Sequence, residues 1–224
     1  MRTFVKHNGL SIFFLVLFVA ALVMQAVAGH ADFNEDQLRH GDPTMSLGRY
    51  VVSSEYGVAV LENWQSEYLQ FTLFLMATVW LLQRGSPESK ELHKAGRESD
   101  EDQLVGRHAV EDSPRWAKVA GLRRTIYENS LLIVMAAIWL GSWFAQSVTG
   151  VSEYNADRLD HHQLAVSWFD YLGRPDFWEK TLQNWQSEFL AVGSMAILAV
   201  YLRQRGSPES KPVGASHETT GMEG

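Results

Sequence analysis

Four apolar stretches alternate with polar segments along the chain. Leu10–Ala28 and Leu131–Val148 carry no charged residue, and each is close to the ~20 apolar residues that a membrane-spanning helix needs. Tyr68–Leu82 and Phe189–Leu202 are shorter, but they reach spanning length if each helix begins some residues earlier. The pattern therefore predicts four helical spans, at about residues 10–28, 60–82, 130–148 and 181–202.

The chain repeats itself at an offset of 121 residues. The octapeptide QRGSPESK occurs at Gln83–Lys90 and again, unchanged, at Gln204–Lys211. The motif NWQSE recurs at the same offset, at Asn63–Glu67 and Asn184–Glu188. Self-similarity of this kind is typical of a duplicated structural unit. We therefore expect an all-α protein, a bundle of four transmembrane helices built from two tandem, parallel two-helix repeats.

The expected domain boundaries follow from this repeat. Residues 1–90 form the first membrane repeat and residues 122–211 the second. Residues 91–121 are polar and charged without an apolar period, which is typical of a disordered linker. Residues 212–224 have the same character and are expected to be a disordered tail.

Positive charges indicate which side of the membrane each loop faces. Of the 19 Lys and Arg residues, 14 lie before the first predicted span, between the second and third spans (residues 84–124) or after the fourth span (residues 203–211). Loops rich in Lys and Arg stay on the cytoplasmic side. The protein is therefore expected in the cell (inner) membrane, with both termini and the linker in the cytoplasm and two acidic loops outside.

Two alternatives to four spans remain open. Arg2, Lys6 and the apolar run that follows them also fit a cleavable signal peptide, although the equivalent segment lies in mid-chain at residues 129–148, which favours retention. The shorter apolar runs also fit core helices of a soluble bundle.

The composition of the chain excludes some classes of binding partner and site. The net charge of −7 argues against nucleic-acid binding, and the absence of cysteine excludes disulfides and thiolate sites. The expected partners are the lipid bilayer and either another protein or further copies of this chain.

Polar residues near the predicted outer ends of the spans form the first candidate site. Residues four apart share one helix face, as Asn63 and Glu67 do. An ionisable residue within a span usually faces the bundle interior or water, and two close carboxylates share a proton or hold a cation. The alternative is a pair of solvated glutamates that simply begin their spans. The expected cluster consists of Gln25, Asn63, Glu67, Gln146, Asn184 and Glu188.

Each octapeptide follows a predicted span and forms the second candidate site. A glycine with positive φ and a nearby proline end helices, so a plain stop signal explains Gly85 and Pro87 in the first copy and Gly206 and Pro208 in the second. It leaves the recurring serines and glutamate unexplained, and these favour a cytoplasmic docking surface. The expected docking residues are Arg84, Ser86, Glu88, Arg205, Ser207 and Glu209.

The predicted outer loops contain a third motif. Phe33–His40 and Tyr154–His161 are interpreted as short amphipathic helices that begin at an asparagine cap. A zinc-like site made of Asp36, His40, Asp157 and His161 is the alternative. No catalytic sequence motif is present, and neither an enzyme activity nor a cofactor or metal is predicted.

These motifs carry a family resemblance. With Asn8–Ser11, the Asn34–Gly41 loop, Glu62–Gln70 and Gln83–Lys90, the chain resembles an uncharacterised bacterial family of small integral membrane proteins, a domain of unknown function. The resemblance covers nearly the whole chain. It implies a membrane protein and implies no activity, cofactor or catalytic residue.

Three functions are compatible with these features. The first is binding or movement of a small cation, proton or polar solute through the outer polar cluster. The alternative is a non-catalytic structural or regulatory membrane component that recruits a partner through the RGSPES turns. An outer-face metal enzyme is the third and has the least support in the sequence.

Overall fold

The computed structural model describes residues 2–222, and over this range it contains helices and turns but no strand. The prediction of an all-α fold is confirmed. Residues 91–121 and 212–222 are traced as turns with one 3₁₀ helix, and the expected disorder of these segments stays a prediction. The helices are α1 (Arg2–His7), α2 (Gly9–His40), α3 (Leu47–Tyr50), α4 (Ser54–Ala77), the 3₁₀ helix (Gly106–His108), α5 (Leu122–Glu128), α6 (Ser130–Asp160), α7 (Trp168–Tyr171) and α8 (Pro175–Tyr201).

Helices α2 and α6 are long and apolar enough to cross a membrane. They have 32 and 31 residues, and only 6% and 17% of their most apolar windows is buried against other parts of the chain. A helix in the core of a soluble protein would bury most of that surface. The two helices match the first and third predicted spans, and the position of α2 near the N-terminus also fits the signal-peptide alternative.

Within the described residues there are two such helices rather than the four that were predicted. Helices α4 and α8 have 24 and 27 residues, which is sufficient length, but the polar NWQSE motif lies within each. Helix α4 also ends at Ala77, so the apolar residues 78–82 do not extend it. The composition of α4 and α8, and not their length, separates them from α2 and α6.

Helices α2 and α6 are longer than the predicted spans because the third motif, Phe33–His40 and Tyr154–His161, continues each helix. Helix α2 runs on to His40, and α6 runs on to Asp160. The prediction of separate short helices capped by asparagine is therefore wrong. A continuous helix satisfies its own backbone groups, so this segment needs no cap.

Asn34 and its equivalent Asn155 instead fasten the chain that follows each long helix. The side chain of Asn34 donates to the Met45 carbonyl at 3.0 Å and accepts from the Met45 N–H at 2.9 Å. Asn155 makes the same pair of hydrogen bonds with Val166, at 3.0 and 2.8 Å. A side-chain amide can satisfy both backbone groups of one residue in this way, and so the loop is held against the helix.

Close contacts divide the chain into two compact units. The first comprises residues up to Leu61 together with Gln146–Tyr171, and the second comprises Glu62–Ala145 and the residues from Leu172 onward. In the first unit, two tyrosines are buried against glycines of the long helices. Tyr50 packs on Gly29, and Tyr171, which is 1% exposed, packs on Gly150.

The substitution Gly150→Ala tests this tyrosine contact. A Cβ atom at Gly150 would lie 2.6 Å from the Tyr171 hydroxyl, so the tyrosine must move. We expect Gly150→Ala to lower the free energy of unfolding by about 1–3 kcal/mol, measured by thermal unfolding in detergent.

Gly141→Ala is the matched control in the same helix. A Cβ there meets nothing within 4 Å, so this change should stabilise the helix by up to about 1 kcal/mol. Equal effects of the two substitutions would contradict the importance of the tyrosine contact.

Candidate functional site

Two residues of the predicted outer cluster belong to the first unit. Gln25 is half-buried and donates to the Ala59 carbonyl at 3.3 Å. Gln146 is 2% exposed, and its Oε1 atom has no hydrogen-bond partner among the described residues. Gln146 is therefore a buried acceptor whose hydrogen-bonding capacity is unused by the chain.

The other four residues belong to the second unit, where two of them approach each other. Glu188 on α8 is half-buried, and the Ser66 hydroxyl hydrogen-bonds its carboxylate. Glu67 lies close enough for its charge to act on Glu188. Asn63 and Glu67 are exposed at the surface of the chain, while Asn184 donates to the Lys180 carbonyl at 2.9 Å.

The spacing of Asn63 and Glu67 predicted that these two residues lie on the buried polar face of α4, but a different face is buried. Gln65 is fully buried, Ser66 is 1% exposed, and Leu69 and Thr72 continue the same buried stripe. The Gln65 carbonyl oxygen accepts a hydrogen bond from Trp185 Nε1 at 2.7 Å. The apolar Leu69 at i, i+4 from Gln65 is the sequence signal that would have found this face.

An aromatic cluster surrounds this hydrogen bond in the second unit. The Trp143 ring lies 5.6 Å from Trp185 and stacks on Phe177 at 6.2 Å. Trp178 contacts Trp143 edge-on at 6.2 Å. Each such aromatic pair contributes about 0.5–1.5 kcal/mol beyond area burial. The rings thus hold the first half of α8 against α6 and keep Trp185 in place over Gln65.

The two octapeptides form the same hydrogen-bonded turn. In the first, the Ser89 hydroxyl oxygen accepts from the Gln83 N–H at 2.9 Å. In the second, Ser210 accepts from Gln204, also at 2.9 Å. Both serine hydroxyls lie 3.1 Å from the carbonyl of the next lysine. The last serine recurs because its side chain closes the turn.

The glycines shape these turns and do not cap the preceding helices. Gly85 and Gly206 have φ angles of 84° and 80°, which glycine adopts at no steric cost. Helix α4, however, ends at Ala77 and α8 at Tyr201, several residues before the glycines. The interpretation of Gly85 and Gly206 as helix caps is therefore wrong, although the positive φ it required is present.

The lysine that ends each octapeptide holds the chain that follows. Lys90 donates to the Gly96 carbonyl at 3.0 Å and pairs with Glu98 at 3.1 Å. Lys211 is 1% exposed, and its ammonium group lies 2.9–3.2 Å from three backbone carbonyl oxygens of the tail. A buried ammonium group needs such partners, so Lys211 organises residues 216–219.

The predicted docking residues differ in exposure between the two turns. In the first turn Ser86 is buried and Glu88 half-buried, whereas in the second Ser207 is half-buried and Glu209 exposed. Arg84 and Arg205 are exposed in both. The tail causes part of this difference, because Thr220 Oγ1 accepts from the Gly85 N–H at 2.8 Å and the Gly221 N–H donates to Ser86 O at 3.1 Å.

Glu88 and Glu209 bring the two turns together. Burial, a hydrogen bond to Glu209 and the negative charge of Glu209 raise the pKa of Glu88 from 4.5 to about 7. A carboxylic acid that donates to a carboxylate explains this arrangement, because two ionised carboxylates at hydrogen-bond distance repel each other. The sequence singled out both glutamates but contained no signal that they pair.

Each histidine of the alternative zinc-like site interacts with the aspartate four residues before it. His40 Nδ1 lies 3.0 Å from the Asp36 carbonyl oxygen, and His161 Nδ1 lies 2.8 Å from that of Asp157. Between residues 2 and 222, no three His, Asp or Glu side chains converge as metal ligands would. The polar groups available for chemistry are thus two carboxylate pairs and two hydrogen-bonded turns.

Comparison with known proteins gives one family. The family model described as Domain of unknown function (DUF6766) matches residues 1–222. The chain belongs to this family. No match was found among curated proteins or among solved structures. Membership agrees with the resemblance inferred from the motifs, and it assigns no activity to the family's residues.

The pH dependence of stability tests the pairing of Glu88 with Glu209. The Glu88 carboxyl has its ordinary pKa of 4.5 in the unfolded chain and a pKa of about 7 in the folded one. The folded state thus binds more protons in this range, and stability falls as the pH rises from about 4.5 to about 7. In Glu88→Gln, a neutral amide donor faces Glu209 at every pH. The loss of stability with rising pH should therefore be smaller in this variant than in the wild type.

Thermal unfolding in detergent at about pH 5 and about pH 8 measures the difference. The control is Glu101→Gln, an exposed position in the linker, which should keep the wild-type pH dependence. The same pH dependence in wild type and Glu88→Gln would contradict the pairing.

Proposed function

We propose that the protein is an integral membrane protein whose outer polar cluster binds a proton or a small cation between Glu67 and Glu188. The approach of these two glutamates carries the proposal. Ser66 contacts the Glu188 carboxylate, and the charge of Glu67 acts on it. Two nearby carboxylates gain stability when they share a proton or a cation.

The surroundings of the pair support a specific site. Gln65 and Ser66 are buried beside it, and Trp185 fixes the Gln65 side chain. Ionisable groups in membrane helices are costly and mark ion or proton paths.

The proposal includes the finer architecture. Helices α2, α4, α6 and α8 are proposed as four spans of a bundle made of two tandem repeats in the cell (inner) membrane, with both termini in the cytoplasm. The lengths of α4 and α8 support spanning, and the Lys and Arg distribution supports the orientation. Burial of Gln65, Ser66 and Thr72 within the chain keeps these polar groups away from lipid.

Neutral substitutions test the carboxylate pair. Purified protein is reconstituted in liposomes, and the flux of H⁺, Na⁺ and K⁺ is followed separately. Glu67→Gln and Glu188→Gln should each reduce the supported flux at least about tenfold, equivalent to about 1.4 kcal/mol, because each removes one of two charges that hold the ion.

Glu179→Gln is the control, since Glu179 is an exposed carboxylate on the same helix as Glu188. It should leave the flux unchanged. A flux that survives both Glu67→Gln and Glu188→Gln, or the absence of any protein-dependent flux, would rule out ion movement through this pair.

The second proposed function is that of a non-catalytic membrane component that docks a protein partner through its RGSPES turns. The exposed second turn favours it: Gly206, Pro208 and Glu209 lie at the surface, on a backbone that Ser210 holds in a defined conformation. A rigid exposed turn presents side chains at little entropic cost on binding.

Site-specific photo-crosslinking tests docking. A photoreactive residue at Arg205 should capture a defined protein in membranes, and the charge reversal Glu209→Lys should abolish the capture while membrane insertion is retained. The control position is Leu164, an exposed residue of the loop before α7. Capture that is equal from both positions, or indifferent to Glu209→Lys, would exclude docking by this turn.

A further inference from the structure

The two octapeptide turns have the same sequence and are closed by the same serine side-chain hydrogen bonds, but only one is covered. Gly85, Ser86 and Pro87 are buried, and Ser86 is 3% exposed. A Cβ at Gly206 would meet nothing within 4 Å, whereas one at Gly85 would overlap the His217 carbonyl and lie 2.8 Å from Val200 Cγ1. Since the turns are chemically identical, the difference comes from what lies on them.

The cover is a segment of the tail, Ser216–Gly221, which we name the strap. Its contacts with the first turn are made to backbone groups. The Gly85 N–H donates to the Thr220 hydroxyl, and the Gly221 N–H donates to the Ser86 carbonyl. The strap therefore recognises the shape of the turn through a threonine hydroxyl followed by a glycine N–H.

The second turn holds the other end of the strap. Lys211 donates to the carbonyl oxygens of Ser216, His217 and Thr219. The lysine of one octapeptide thus places the strap on the glycine and serine of the other. The strap is in this way a connection between the two turns.

Polar contacts hold most of the strap, and the His217 ring also lies 5.6 Å from the Tyr201 ring. The apolar side chains that flank it, Val213 and Met222, are 54% and 46% exposed. Water can replace each of the hydrogen bonds, so their net contribution is small. Segments with few buried apolar contacts open locally without global unfolding.

We propose that the strap is a displaceable cover of the first octapeptide turn, so that the chain carries one closed and one open copy of the same docking surface. This inference rests on the second proposed function, docking through the turns. A partner segment that offers a threonine hydroxyl and a following glycine N–H competes with the strap for Gly85 and Ser86. Removal of the strap exposes the Ser86 side of the first turn, while Val200 of α8 stays against Gly85.

Single cysteines measure the cover directly, because the chain contains no cysteine. Ser86→Cys and the equivalent Ser207→Cys are reacted with a maleimide in detergent, where membrane topology plays no part. Ser86→Cys should react at least about tenfold more slowly, as expected for a locally protected site. Truncation after Val213 should raise the Ser86→Cys rate to that of Ser207→Cys and leave the Ser207→Cys rate unchanged. Equal rates of Ser86→Cys with and without the strap would overturn the proposal.

A peptide with the sequence of residues 216–222 tests displacement. Added in excess to the truncated chain, it should restore slow labelling of Ser86→Cys, and a peptide with Thr220→Val should not. Failure of the unchanged peptide to protect would mean that the strap is a fixed part of the fold, which also overturns the proposal.

Hydrogen exchange provides a readout that needs no cysteine. Thr220→Val removes the acceptor of the Gly85 N–H, so exchange of the Gly85 amide should accelerate while that of Gly206 stays the same. Unchanged exchange at Gly85 would count against the cover. Failure of docking has a different signature: the strap protects Ser86, but crosslinking from the second turn captures no partner.

Discussion

The apolar surface of α2 and α6 is the constraint on which the rest of the structure depends. Little of it is covered by other parts of the chain, and large side chains such as Phe13, Phe14 and Leu15 are more than half exposed. A large exposed apolar surface of this kind marks an interaction with a membrane or another protein. The proposed membrane location accounts for it, because an α-helix satisfies all of its backbone groups internally.

Polar side chains hold the connections that follow the helices. The chain that leaves each long helix needs hydrogen-bond partners, and Asn34 and Asn155 provide them from the helix itself. The octapeptides meet the same need with a serine that closes the turn. The polar residues of the motifs therefore fall into two groups: those whose side chains hydrogen-bond the backbone of a turn, and those that are candidates for binding.

Asymmetry between equivalent positions distinguishes the two groups. Gln65 is fully buried and paired with Trp185, while its equivalent Gln186 is exposed. Ser86 is covered, while Ser207 is only half-buried. Ser89 and Ser210, in contrast, make the same bonds in both copies. Positions that behave alike maintain the local fold, and positions that behave differently report the tertiary surroundings, where binding and regulation arise.

The sequence alone determined the helical class, the two apolar helices and the residues that belong to each motif. These follow from local periodicity and composition, which act over a few helical turns. The face of α4 that is buried, the end of that helix at Ala77 and the pairing of Glu88 with Glu209 were decided by the tertiary structure. The buried face of α4 and the carboxyl pair depend on residues more than 100 positions away, Trp185 and Glu209, and no local pattern contains that information. The octapeptide is the clearest case: its sequence specifies one turn, and the tail of the folded chain decides which copy is covered.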